Sequence, residues 1–377
     1  MQHVSMLAWR PQMLLPALQQ AKEAFPDAHL FACCQEKDAH LPSQGGLQFF
    51  CAEDADEFFK YGAEYGTKEL QSSIGHWRNL MQLASVSLGS PPLIFLDDDI
   101  LPDKNCGAVF SASLQKYDLV QGAYNGCLGN GIYMLVYFFD WLLDQRKRAD
   151  FQNTAELMLR GTVRRTHAQA SLRGLSGGLF GISSKLKSRQ AFFPTKYPFD
   201  DHFFEFCCRH AFKQANFMDE RTSASDIPTA THETVPSASF SKLVDHYILY
   251  VRSSIVETYS YYCLCGKIPQ LVNNRHVLAR ISNFDAQQMC SLLTSQAALE
   301  KFKKAAEHHL KGGFGKPIDS QLRRVASLCE QDFFVGIEEL EKEWANFIQE
   351  QQWLKDALML ANANPQHAKG ALFASRE

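Results

Sequence analysis

The sequence has no CxxC pair, no internal repeat, no long apolar run and almost no net charge. Each absence removes a class of protein. Its eleven cysteines include two adjacent pairs, Cys33-Cys34 and Cys207-Cys208, and a close couple, Cys263 and Cys265. Such an odd, scattered set fits neither a metal nor a disulfide framework and points to reduced thiols in a cytosol. The opening "MQHVSMLAWRPQ" has no basic stretch followed by an apolar core, so no secretion signal is expected. The greasiest stretch, Ile132 to Leu143 ("IYMLVYFFDWLL"), contains Asp140 and falls short of the ~20 residues a bilayer span needs. It is expected to be a buried helix, with a membrane-surface helix as the alternative. A formal charge of −3 provides no basic field for nucleic acid. A cytoplasmic protein is expected, and peripheral contact at the inner face of a membrane is compatible with this pattern.

What is present is a chain of 377 residues, 46% hydrophobic and 21% charged, long enough for a large domain and a smaller one. His3 to Ala8, Ala28 to Cys34, Leu47 to Cys51 and Leu93 to Leu96 read as strands. Between them lie two helical patterns. One starts at Pro11 and repeats through Leu14, Leu18, Ala21 and Phe25; the other runs from about Lys68 to Ala84. Asp118 to Tyr124 reads as a further strand, and Gly174 to Ser183 as a glycine-led one. The alternation predicts an α/β domain with a mostly parallel sheet. Phe199 to His210 ("FDDHFFEFCCRH") opens with two carboxylates and continues as a helix with Phe203, Phe206, Cys207 and His210 on one face. Beyond Pro236 amphipathic helical patterns dominate, for example Ile337, Leu340, Trp344, Phe347 and Leu354. The division expected is 1–235 for the α/β domain, 236–360 for a mostly helical domain and 361–377 for a flexible tail.

The segment "PPLIFLDDDILPD" places Asp97, Asp98 and Asp99 at the end of an apolar strand. In open α/β sheets that end is where ligands bind. Three adjacent carboxylates repel unless something positive sits among them. A hard divalent cation suits them, because Mg²⁺ takes one or two carboxylates and completes its shell with waters and phosphates. The plain alternative is a solvated loop.

These residues resemble the DxD motif of GT-A fold glycosyltransferases, most closely the large inverting family 2-type that includes bacterial polysaccharide synthases. "HVSMLAWRP", with Arg10-Pro11, is similar to that family's opening strand. "GHWRNLMQLA", with Arg78 and Asn79, is similar to its Ala-Arg-Asn helix. "GLSGGLFGIS", with Gly177 and Gly178, resembles the strand that lines the donor sugar. "FDDHFF" resembles the acidic pair that supplies a catalytic base, and "THE" (Thr231-His232-Glu233) falls where many members carry a late metal-binding histidine. The likeness spans residues 3 to about 235.

The resemblance implies a GT-A fold: a Rossmann-like, mostly parallel central sheet flanked by helices, here with a helical C-terminal subdomain for acceptor, oligomer or partner contact. It implies a Mn²⁺ or Mg²⁺ ion on Asp99 and His232, and a nucleotide-diphosphate sugar donor, expected to be a UDP-sugar. Asp97 would contact the ribose or a metal-bound water from the same side as Asp99, while Asp98 would face the other way. Arg10, Arg78, Gly177 and Gly178 would line the donor. Asp201 would be the base, with Asp200 orienting it, and the anomeric centre would invert. The acceptor is open among saccharide, lipid, peptide and small molecule, and a homo-oligomer is compatible.

Plain readings stand beside each assignment. Asp200 suits a helix N-cap, His232 a loop, Gly177-Gly178 a β-bulge, and "KGGFGK" (Lys311 to Lys316) a helix–helix joint without phosphate-loop spacing. The sequence also departs from the family. Leu7-Ala8-Trp9 stands where a Thr-Tyr-Asn type segment is usual, "CCQEKDAH" leaves Glu36 or Asp38 in place of the base-gripping acid, and the acidic pair is Asp-Asp rather than Glu-Asp. Competing functions are a retaining GT-A transferase, a nucleotidyltransferase, a haloacid-dehalogenase-like phosphatase (disfavoured by Leu101 in its motif) and an inactive GT-A binding scaffold.

Overall fold

A computed structural model describes residues 2–8, 10–40, 42, 47–59, 73–126, 177–188, 191–195, 200–211, 215–219, 221–232, 259, 263 and 337–373. The apolar stretch 132–143, the glycine-containing segment 311–316 and most of the helical part after 236 lie outside the described residues. Among the described residues no helix is long and apolar enough to cross a membrane.

The chain forms two compact units. The first joins Met1–Asn125, Arg165–Glu233 and Asn346–Glu377, and the second joins Gly126–Arg164 and Thr234–Ala345. The first is built on a six-stranded sheet in the order β3-β2-β1-β4-β8-β6. Its strands are β1 (His3–Leu7), β2 (His29–Cys34), β3 (Gln48–Cys51), β4 (Leu93–Asp97), β6 (Leu119–Gln121) and β8 (Leu179–Ile182). The pairs β1–β2, β1–β4 and β2–β3 are parallel, and β8 runs antiparallel between β4 and β6. All five residues of β1 are buried, as both faces of a parallel sheet demand. The sheet is flanked by α1 (Pro11–Ala24), α2 (Ala52–Phe59), α3 (Ile74–Ser87) and α4 (Cys106–Lys116).

A second, three-stranded sheet has the order β5-β9-β7, from β5 (Ile100–Pro102), β7 (Ala123–Gly126) and β9 (Thr229–His232). The single strand expected over Asp118 to Tyr124 is therefore two strands, one in each sheet. Helix α5 (Ser184–Ser188) follows β8, and α6 (Asp200–Ala211) carries the acidic pair at its start. Along α6, Phe203, Phe204 and Cys208 are buried and Cys207 is half-buried, while the side chains of Phe206 and His210 lie outside the described residues.

The chain closes with α7 (Ile337–Ala363) and α8 (Pro365–Leu372). Residues 361–373, expected to fray, are ordered into this end for an apolar reason. Ala361 and Leu372 are buried in the core, and the Phe373 ring meets Phe31 and Phe50 edge-on at 5.9 and 5.6 Å. Each such aromatic pair contributes about 0.5–1.5 kcal/mol beyond its burial.

Candidate active site

Strand order decides where the site lies. From β1 the chain steps to β2 on one side and later to β4 on the other, so the order reverses between β1 and β4. A crevice opens at the carboxyl ends of strands at such a reversal. Leu7 and Asp97 are register partners across that pair, so Arg10 and the three aspartates emerge side by side.

Asp97 is the last residue of β4, while Asp98 and Asp99 form the turn into β5. Strand alternation therefore ends at Asp97 and does not assign faces to the two that follow. Asp98, expected to face away, is fully buried and joins Asp99 on Arg10. Its Oδ2 accepts the backbone N–H of Arg10, and its Oδ1 accepts Arg10 Nε at 2.9 Å and Nη2 at 2.7 Å. Arg10 Nη1 lies 2.5 Å from Asp99 Oδ2. Burial pushes the Asp98 carboxyl up to about 7 even against the pull of Arg10. Burial also raises Asp97, with repulsion from Asp99 adding to it and Arg78 and Arg10 opposing it. Burial works against the Arg10 cation, yet Asp98 and Asp99 hold its protonation above the ordinary range.

His232 reaches this turn through sheet pairing. Strand β9 runs antiparallel to β5 with Ile100 opposite His232, which places His232 Nε2 3.2 Å from Asp99 Oδ2. The other end of the pairing is pinned where the Asp103 N–H donates to the Thr229 carbonyl at 2.9 Å and Thr229 Oγ1 donates to Asp103 Oδ2 at 2.5 Å. Among the described residues no group of three or more His, Cys, Asp or Glu side chains could by itself hold a metal ion. The donor set is one carboxylate and one imidazole. It fits a divalent ion that takes its remaining positions from waters and substrate phosphates, not a closed structural site.

Arg78 organises the neighbouring wall. It is buried on α3, with its guanidinium 5.6 Å from the ring centres of both Phe180 and Phe193. Its Nη2 donates to the Gly177 carbonyl at 2.8 Å and pairs with Asp97 Oδ1 at 3.4 Å. A Cβ on Gly177 would sit 2.5 Å from that nitrogen, so an added side chain there would have to displace the guanidinium. The Gly177 N–H in turn donates to Asp201 Oδ2 at 2.7 Å. Gly178 is held beside β4, its carbonyl accepting the Asp97 N–H at 3.0 Å. Asn79, next to Arg78, exchanges two hydrogen bonds with the Phe193 backbone, 2.8 and 2.7 Å, and fixes the segment that leads toward α6.

The structure thus brings Arg10, Asp98, Asp99 and His232 into one cluster, and Asp97, Arg78, Gly177 and Asp201 into an adjoining chain of contacts. The main chain of Asp200 begins α6; its side chain is outside the described residues. Sequence reasoning missed the clamp of Arg10 on Asp98. Its only signal was the Arg-Pro step at the end of a buried strand.

No family model matches the chain, and no curated protein matches it in sequence. Among solved structures it is similar to the mannosyltransferase PcManGT from Pyrobaculum calidifontis in complex with GDP-Man and Mn²⁺. That match has 12% identity, 97% of this chain and 87% of that one covered, and a TM-score of 0.41. S. aureus TarS 1–349 matches at 9% identity over 88% of this chain and 91% of that one, with a TM-score of 0.34. The galactosyltransferase LgtC with donor and acceptor sugar analogues matches at 14% identity over 50% and 59%, with a TM-score of 0.26. Likenesses this distant carry no residue roles to this chain; its site rests on its own side chains.

Proposed function

We propose that the protein is a metal-dependent glycosyltransferase that moves a sugar from a nucleotide-diphosphate sugar to an acceptor hydroxyl, inverting the anomeric carbon. The observation that carries this reading is the convergence, at the carboxyl ends of β1 and β4, of a carboxylate–imidazole pair with a glycine-walled carboxylate chain. Asp99 and His232 would hold the divalent ion, Mn²⁺ or Mg²⁺, which when bound neutralises charge on the departing diphosphate.

The protein's own groups supply the rest. Asp97, with its carboxylate held by Arg78, orients the ribose or a water at the nucleotide. Gly177 and Gly178 let the backbone approach the sugar where a side chain would intrude. Asp201 accepts the proton of the acceptor hydroxyl, its second oxygen occupied by the Gly177 N–H so that the carboxylate keeps its orientation. Nothing in these groups selects uracil over guanine, so the donor base follows from assay.

The test is a panel of UDP- and GDP-sugars with and without Mn²⁺, read by thermal shift and by sugar release. Metal-dependent stabilisation by at least one nucleotide sugar, lost in Asp99→Asn, is the expected result. If no nucleotide sugar stabilises the protein in a metal-dependent way, the proposal fails.

A further inference from the structure

We propose that Arg10 and the divalent cation exchange at Asp99, the guanidinium holding that carboxylate until metal and diphosphate arrive together. This rests on the metal-binding role proposed above and assigns Arg10 a second role there.

The geometry separates the Arg10 contacts into a fixed set and a movable one. The backbone N–H, Nε and Nη2 all go to Asp98, which has no exposed surface. Nη1 goes to Asp99, and it takes the same oxygen, Oδ2, that lies 3.2 Å from His232 Nε2. A divalent cation held there would take a lone pair of that oxygen. The guanidinium nitrogen is now 2.5 Å from the oxygen, and two positive groups cannot share that approach. The Arg10 side chain is 34% exposed whereas Asp98 has no exposed surface, so Arg10 is the member of the pair that an incoming phosphate can reach.

A guanidinium released from Asp99 presents its N–H edge to phosphate oxygens, for which its planar fork is well matched. Binding of metal alone is then opposed by Arg10, whereas binding of diphosphate with metal is assisted by it. Such coupling makes the two bind as a unit, reciprocally. It also keeps a positive charge against Asp98 and Asp99, whose buried carboxylates would otherwise face each other as like charges.

The experiment uses the full chain and two probes, Mn²⁺ alone and inorganic pyrophosphate at saturating Mn²⁺, both by titration calorimetry. D98N, in which Arg10 still has its contact to Asp99, is compared with R10M/D98N, in which no charged Asp98 is left buried without its partner. R10K, which keeps a cation on Asp98, is a second variant should the double one misfold, and far-ultraviolet circular dichroism checks each. The expected result is Mn²⁺ binding about tenfold tighter in R10M/D98N than in D98N, as removal of one nearby charge at a partly solvated site predicts. Pyrophosphate binding should weaken by about the same factor. Unchanged or weaker Mn²⁺ binding overturns the exchange, and so does pyrophosphate binding indifferent to Arg10. Either result leaves the glycosyltransferase reading intact if nucleotide sugars still bind with metal. Absence of Mn²⁺ binding in every variant overturns the exchange and the metal role together.

Discussion

Thr195 Oγ1 donates a 2.5 Å hydrogen bond to Glu350 Oε1, 155 residues further along, and both residues are buried. The Thr195 carbonyl accepts a second bond from Ser73 Oγ at 2.5 Å, and Ser73 is the N-cap of α3. One turn from Glu350 on α7, Phe347 meets Phe203 of α6 edge-on at 5.2 Å. Phe193 stacks on Phe204 of α6 at 3.9 Å. Helix α7 therefore braces the segment that leads into the helix bearing Asp201.

Glu350→Ala should lower stability by about 1–3 kcal/mol, since it leaves a buried hydroxyl without its acceptor. It should also lower the transfer rate more than it raises KM, because the brace acts through Asp201 and not through the donor. Glu350→Gln, which keeps an acceptor oxygen, should recover most of both. Thermal melts and steady-state kinetics on the three proteins check this; equal loss in Ala and Gln variants would deny the brace.

Gly177→Ala should disrupt the donor wall. Its Cβ would meet Arg78 Nη2 at 2.5 Å and Nη1 at 2.9 Å, forcing the guanidinium off the Gly177 carbonyl at a cost of about 1–3 kcal/mol. Gly370 in α8 is the control, with nothing within 4 Å of an added Cβ. Gly370→Ala should be neutral or stabilising by up to about 1 kcal/mol, because alanine favours the helix. Chemical denaturation of the pair measures the contrast.

Asp201→Asn should remove the base while keeping an oxygen for the Gly177 N–H. Transfer is expected to fall by about 10²- to 10⁴-fold, the usual contribution of general base catalysis. Metal-dependent nucleotide binding should stay within a few-fold of the parent. Loss of binding in isothermal titration would reassign Asp201 to the framework.

Lys187 of α5 offers a pH test far from the carboxylates. It is 2% exposed, donates to Ser85 Oγ at 2.8 Å and to the Pro91 carbonyl, and burial lowers its pKa to about 7 from 10.5. Between those two pH values the unfolded chain holds the proton that the folded chain has released. Folding stability should therefore rise as pH increases from about 7 toward 10, by an order of a few kcal/mol at most. Below 7 both states are charged and this contribution becomes flat. Lys187→Met should abolish the rise, which urea titrations at pH 7 and pH 9.5 would detect.

Much of the first unit was legible locally. Pro11 at a helix start, the apolar runs before Cys34 and Asp97, and the Leu14–Leu18–Ala21 spacing specify elements through backbone propensity and period alone. Helices α2 and α4 and strand β5 were not legible. Strand β5 has three residues, and α4 is rich in small residues whose pattern does not separate helix from loop.

The residue types of the site were also legible in the sequence. Carboxylates after a buried strand, paired glycines and a late histidine are chemistry that can be read one segment at a time. Which atoms meet is a long-range property. His232 reaches Asp99 only because β9 pairs with β5 in one register, and Arg10 reaches Asp98 only because β1 and β4 are parallel neighbours. The sequence determined the local elements and the inventory of charged groups, since both depend on neighbours along the chain. Tertiary structure alone decided that Asp98 is the clamp, Asp99 the shared carboxylate and α7 the brace, because burial and strand order set those contacts across more than eighty residues of intervening chain.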